Sequence, residues 1–382
     1  MAQRLKTDWI LFVTVLAMMS FGVLILYSAS SIMAQLDPRY GWSWHFVLRQ
    51  VEWAAVAVAV MMTLKKTPYR KFQSPTVAFC AMRLALMLLA LVYVVDTAHH
   101  RWLRVGGVGV QPSELAKPAL VIFLAFFATW RARAINNPRY TLIPAALAVG
   151  LIILAVVVAD LGTAVVLGAA AAAVFVVAGL EWRYCAIAAA VAAVGVVIFI
   201  FAEPYRIVRV VRFFDPQFKI VARFDGSGKL RNRMEQSLVT RDTNYQLEQS
   251  RIAVGAGGPT GLGLTNGRQK LWYLPEAHTD FIYAVVAEEL GLAGSVGLLL
   301  GFGTIFWRGL RAAFRMRDDF GRYLALGVTV VVVVQGFINM SVVLGMMPTK
   351  GIPLPMISYG GSSLLSTLAL LGILMNVAEN AG

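Results

Sequence analysis

The sequence predicts an all-α polytopic membrane protein with about ten transmembrane helices, both termini cytoplasmic, and one long extracytoplasmic loop between the seventh and eighth spans. Three observations carry this. The chain of 382 residues is 59% hydrophobic and only 14% charged, too little polar surface to coat a globule. Apolar runs long enough to cross ~30 Å of hydrocarbon at ~1.5 Å per residue recur along it. The Lys and Arg residues that separate these runs concentrate on alternate loops.

The spans fall over residues 9–29, 46–64, 77–95, 113–130, 142–159, 163–180, 184–202, 280–306, 322–346 and 359–377. The first ends in Ser28, Ala29 and Ser30, which imitate a signal cleavage site, but it exceeds a signal h-region and more spans follow, so it reads as an uncleaved helix. The Ala-rich sixth and seventh spans are expected to pack closely into a rigid wall. Cys80 and Cys185 lie in or beside apolar runs without metal or redox spacing, and read as packing residues.

Orientation follows from the short loops. One set carries Arg4, Lys6, Lys65, Lys66, Arg70, Lys71, Arg131, Arg133, Arg139, Arg183, Arg308, Arg311, Arg315, Arg317 and Arg322, fifteen in all. The other carries four: Arg39, Arg101, Arg104 and Lys350. The basic set is therefore cytoplasmic, and residues 203–279 lie outside within a single membrane domain spanning 1–382. The net charge of +14 is accounted for by this asymmetry, so no nucleic acid partner is implied.

The outer segment holds twelve Lys or Arg. It opens on "YRIVRVVRFFDP", either a basic amphipathic helix on anionic membrane lipid or a solvated face. The polar, turn-rich "VARFDGSGKLRNRMEQSLVTRDTN" reads as flexible without a partner. "GAGGPTGLGLTNG" lacks the lysine and the strand of a phosphate-binding P-loop, and reads either as backbone that bends tightly near the membrane or a lipid head group or as a linker.

Polar groups within spans are costly and mark candidate sites. Glu114 and Lys117, three apart on one helical face, form either an ion pair or part of a site. Asp160 reads equally as a helix cap or a site carboxylate. Glu276, His278 and Asp280 crowd one loop-to-helix junction, where Thr279 or Asp280 would also serve as a cap. The connector "MMPTKGIPLPMISYGGSSLL" requires burial in protein or a water-filled cavity. One outward-facing cavity would unite Glu114, Lys117, Asp160, Asp280 and this connector. Arg83, Glu288 and Glu289 lie deeper and keep a transporter reading open.

At these strings the sequence resembles the SEDS family (shape, elongation, division and sporulation) of bacterial cell-wall synthesis. The likeness runs through "ILYSAS", "RWLRVGGVGVQPSELAK", "DLGTA", "YQLEQSRIAVGAGG", "YLPEAHTDFIYAVVAEELG" and "MPTKGIPLPMISYGGSS", in the family's order. "QKLWYLPEAHTDF" and "PTKG" look more like the division branch than the elongation branch. The stretch 218–243 is longer and more charged than the family usually shows.

The resemblance implies a peptidoglycan glycosyltransferase of the bacterial cytoplasmic membrane, acting at the division septum, that polymerises lipid II beside a class B penicillin-binding protein and other divisome membrane proteins. It places the family's loop aspartate on Asp280 and its fourth-span pair on Glu114 and Lys117. Asp280 would act as general base, Lys117 would steady the diphosphate and Glu114 would hold Lys117. Arg101 and Arg104 are further candidates for the diphosphate, or else snorkel to the interface. Asp160 and His278 complete the expected substrate-binding set. A divalent cation, Mg or Mn, is compatible with a diphosphate substrate, but no ligand cluster in the sequence identifies one. A lipid II flippase and a non-enzymatic scaffold are the rival readings.

Overall fold

The structure, a computed structural model, describes residues 7–96, 100–105, 108–202, 207–208, 210–211, 215, 243–348 and 351–381. Arg4, Lys6, Lys350, most of the proposed amphipathic helix and nearly all of the charged stretch 218–243 lie outside the described residues.

Eleven α-helices and one two-stranded hairpin make up the regular structure of the described residues. They are α1 (Trp9–Leu36), α2 (His45–Lys66), α3 (Pro75–Val95), β1 (Leu103–Val105), β2 (Val108–Val110), α4 (Pro112–Trp130), α5 (Ile143–Val157), α6 (Leu161–Val177), α7 (Trp182–Phe201), α8 (Thr243–Gly257), α9 (Ile282–Arg315), α10 (Asp319–Val343) and α11 (Gly361–Asn380). Nine of the described helices are long and apolar enough to cross a bilayer, α5 being counted together with the π-helical turn before it as Pro138–Val157, and α6, at 17 residues, is a shorter apolar helix that makes a tenth. The β-strands pair antiparallel with Arg104 opposite Gly109.

Three helices form the centre. The apolar windows of α4, α10 and α11 are 78%, 72% and 78% buried, against about a third or less for every other membrane-length helix, so the peripheral helices turn apolar faces outward. Close approach is secured by small residues. A Cβ on Gly372 of α11 would meet the main chain of Met61 in α2, and one on Gly22 of α1 would meet the main chain of Met356 and Ile357.

The expected wall of α6 and α7 is not formed. No residue of α7 is buried, because a helix that is apolar on all sides has no polar face to shield and is free to stand in lipid.

The eighth span also departs from expectation. It runs nine residues further than predicted, to Arg315, and is broken at Gly291, where φ is 60° and ψ −148°. The break is filled by the glycine-rich loop. Leu262 and Gly263 donate their amides to the carbonyls of Glu288 and Glu289 at 3.0 and 2.9 Å, and Leu292 donates to the Gly258 carbonyl at 3.0 Å. Groups released by the kink are thereby satisfied within protein, as a low-dielectric setting demands. Only glycine fits here: Gly261 has φ +80°, and its added Cβ would run into the main chain of Glu289.

Candidate active site

Asp280 lies in the loop two residues before α9, on the end of the bundle that carries the hairpin and the glycine-rich loop. It does not cap the helix. The N-cap position belongs to Phe281 without a side-chain hydrogen bond, and the Thr279 hydroxyl donates back to the Glu276 carboxylate at 2.7 Å. The cap reading of Thr279 and Asp280 is thus corrected: the chain enters α9 through a turn in which the Thr279 and Phe281 amides donate to the Glu276 carbonyl.

The Asp280 carboxyl is half-buried, and burial pushes it up to about 6 against the pull of the Arg101 guanidinium, with the Glu276 and Asp160 carboxylates pushing the same way as burial. One wall is bare main chain: a Cβ on Gly351 would overlap Asp280 Oδ2. Arg101 donates to the Gly351 carbonyl at 3.4 Å, and its Nε is buried without a hydrogen-bond partner among the described residues. A free guanidinium N–H beside a carboxyl of raised basicity can receive an anionic group while the carboxyl takes a proton.

The Pro/Gly connector between α10 and α11 is shaped by side chains around it. Asn339 Nδ2 donates to the carbonyls of Asp280 and Ile352 at 2.8 and 2.6 Å. Gln335, one turn earlier on α10, donates to the Pro353 carbonyl at 2.9 Å and accepts from Lys117 Nζ at 2.7 Å. Ser358 donates to the Thr279 carbonyl at 2.6 Å, and Gln50 donates to the Ser358 carbonyl at 3.2 Å. The expectation that this irregular backbone is buried in protein is met.

Glu114 and Lys117 pair at 2.6 Å with 0% and 1% of their side chains exposed, which settles the ion-pair half of the expectation. Ser366 adds a 3.3 Å hydrogen bond to Glu114 Oε2, while Oε1 is buried without a partner. The pair reaches Asp280 through Gln335, the connector and Asn339. No described contact joins it to Asp280 directly.

The other expected residues divide. Asp160, 1% exposed, caps α6 through the Thr163 amide and hydroxyl at 3.2 and 2.7 Å, and it also lies close enough to raise Asp280. His278 turns its ring to Phe46 and Tyr359 at 4.8 and 5.9 Å, and burial lowers its basicity. It belongs to an aromatic cluster beside the site. Arg104 is exposed on β1, and no described contact brings it to Asp280.

Glu288 and Glu289 anchor the glycine-rich loop. Glu288 accepts the Arg268 amide at 2.7 Å, and Glu289 accepts from Lys270 Nζ at 2.5 Å and from Ser28 at 2.7 Å. Arg83 is exposed on α3. Among the described residues no three His, Cys, Asp or Glu side chains are grouped to hold a metal ion. Asp160 is committed to its cap, so the described residues supply no ligand set for a cation.

Gln335 and Asn339 escaped the sequence reading because both sit in the apolar run "VTVVVVVQGFINM"; their four-residue spacing on one helical face was the available signal.

The fold and site define a polytopic membrane protein with a carboxyl of raised basicity beside an arginine, at one end of a helical bundle. The chain belongs to the SEDS family: residues 8–382 match the family described as "Cell cycle protein", which comprises FtsW, RodA and SpoVE. It is 33% identical to stage V sporulation protein E of Bacillus subtilis (strain 168) over 99% of this chain and 98% of the relative. It is 35% identical to a probable peptidoglycan glycosyltransferase FtsW of Geobacter metallireducens over 98% and 95%. Among solved structures it resembles, with a TM-score of 0.76, 28% identity and 98% of each chain covered, a chain of a peptidoglycan synthase complex in which polymerization and crosslinking are structurally coordinated.

Proposed function

We propose that this protein is a peptidoglycan glycosyltransferase that polymerises lipid II during cell division, with Asp280 as general base. The observation that carries the proposal is the uncapped, half-buried Asp280 carboxyl, raised to about 6 beside the Arg101 guanidinium. A base must be ionised at working pH yet basic enough to accept a proton, and this value meets both needs. Relatives named as probable peptidoglycan glycosyltransferases support the reaction class.

The sugar 4-hydroxyl oxygen of one lipid II attacks the anomeric carbon of another. The C–O bond to the polyprenyl diphosphate breaks, the diphosphate leaves with the bonding pair, and the hydroxyl proton passes to Asp280. Diphosphate leaves readily, so no second carboxylate is required as acid. Arg101 is placed to take the developing negative charge. Lys117, enclosed between Glu114 and Gln335, acts by holding the connector in position.

In this reading both termini are cytoplasmic, the Asp280 end faces outward, and a class B penicillin-binding protein crosslinks the strands at the septum. The likeness to a chain of a peptidoglycan synthase complex that coordinates polymerization with crosslinking supports such a partner. A transport pathway is less favoured because Glu288 and Glu289 are engaged in holding the loop.

The test is polymerisation of purified lipid II by the protein with its crosslinking partner, comparing wild type with Asp280→Ala and Asp280→Asn and measuring lipid II binding alongside. Strands from wild type only, with binding retained by the variants, support the reading. Well-folded variants that polymerise as fast as wild type would sink it.

A further inference from the structure

At the end of the bundle opposite Asp280, a cavity of about 340 Å³ opens between the α2–α3 turn, the α9–α10 turn and the last turn of α11. Its framework is fixed. The Tyr69 amide donates to Asn376 Oδ1 at 2.9 Å, while Asn376 Nδ2 donates to the Lys65 carbonyl at 2.6 Å. The buried Tyr69 ring stacks on Phe320 at 6.4 Å, and a Cβ on Gly321 would crowd Tyr69 and Met316.

Three arginines line the opening, Arg70, Arg315 and Arg317, against one acidic residue, Asp318. That carboxylate is occupied: one oxygen accepts the Tyr69 hydroxyl at 2.6 Å and the other caps α10 through the Gly321 amide at 2.9 Å. Neighbouring Arg322 pairs with Asp319 at 3.0 Å. Among the described residues, none of Arg70, Arg315 and Arg317 forms an ion pair, although the Tyr69 hydroxyl and, more weakly, the Asp318 carboxylate already engage Arg70 and raise its basicity. Their enrichment on this end follows from membrane insertion, but insertion requires only that charge be present. It does not require three arginines to border one rigid concavity.

We propose that this cavity binds the phosphate of an anionic phospholipid head group. The ligand chemistry follows from the donors, because guanidinium forks match phosphate oxygens in shape and charge. Its source follows from depth. The cavity borders the helix ends Arg315 and Asn380 and the α10 cap Asp318, the level at which head groups meet a membrane protein. The inference is independent of the reaction at Asp280.

The experiment uses the full chain equilibrated in mixed micelles of equal phosphatidylglycerol and phosphatidylcholine, with retained lipid counted by native mass spectrometry. The variant is Arg315→Gln/Arg317→Gln. The control is Arg133→Gln/Arg139→Gln, which removes the same charge from exposed positions on the same end. Wild type and control are expected to retain phosphatidylglycerol selectively, while the cavity variant loses roughly thirty-fold in that preference. Equal loss in control and variant would show that only the general field of the basic end attracts lipid, overturning the proposal. So would an unchanged variant. In a separate arm, wild type is offered inorganic phosphate and diphosphate; uptake of these without preference for phosphatidylglycerol would assign the cavity to a soluble phosphate compound and overturn the lipid assignment. All substituted side chains are exposed, so both variants are expected to fold, and their thermal unfolding is measured alongside.

Discussion

A single Asn339 amide holds the main chain of Asp280 at 2.8 Å and that of Ile352 at 2.6 Å, so the proposed base and the connector that walls it are set by one side chain. Asn339→Leu removes both bonds at similar volume. Polymerisation is expected to fall about 100-fold, the scale of an ångström misplacement in a catalytic group. Lipid II binding should change far less, and comparison of kcat with KM measures the difference. An equal loss in KM alone would mean that Asn339 shapes the binding surface.

Activity should depend on pH through the Asp280 carboxylate. The ionised form is the proposed base, so the rate is expected to rise through about pH 6 and to fall tenfold per unit below it. Arg101 holds this value down, so Arg101→Gln is expected to shift the inflection to higher pH as well as slow the reaction. A pH–rate profile of the two proteins reads both effects, and an inflection that stays put would dissociate Arg101 from Asp280.

Stability carries the opposite sign. The carboxyl is raised in the folded state, so its contribution to stability is greatest below the unfolded value of 3.8 and is lost as pH rises through about 6. Asp280→Asn removes that ionisation. The variant is expected to melt higher than wild type at pH 8, with the gap closing towards pH 4, a trade of stability for function seen when catalytic groups are buried.

Breaking the Glu114–Lys117 pair from one side strands a buried charge. Lys117→Met is expected to cost about 3–5 kcal/mol, whereas Glu114→Gln/Lys117→Met together should recover most of it. Thermal unfolding by fluorescence-detected size exclusion distinguishes the two outcomes.

The broken helix makes a contrast between glycines. Gly261→Ala sets a Cβ against the Glu289 main chain at φ +80°, and a destabilisation of roughly 1–3 kcal/mol is expected. Gly255→Ala meets nothing within 4 Å and sits inside α8, so it should be neutral or slightly stabilising.

The helical bundle was legible because each membrane span writes its own length and apolarity into the chain. Asp280 and Glu114–Lys117 were legible because charges within the predicted spans are rare. What was hidden depends on partners far away in sequence. Glu289 looked like a residue on a transport path until Lys270 and Ser28 supplied its reason, and the kink at Gly291 is invisible without the loop that fills it. Asp160 looked like a choice between cap and site, but one carboxylate can fill a helix end and still project its field onto a neighbour.

The absence of room for a side chain at Gly351 bears on how the protein can change over time. A catalytic carboxyl is ordinarily retuned by exchanging the residues packed around it, but along this wall there is nothing to exchange. Mutation can therefore adjust the acidity of Asp280 from the Arg101 side far more easily than from the connector, which leaves lineages of this protein few single-step routes to a different working pH.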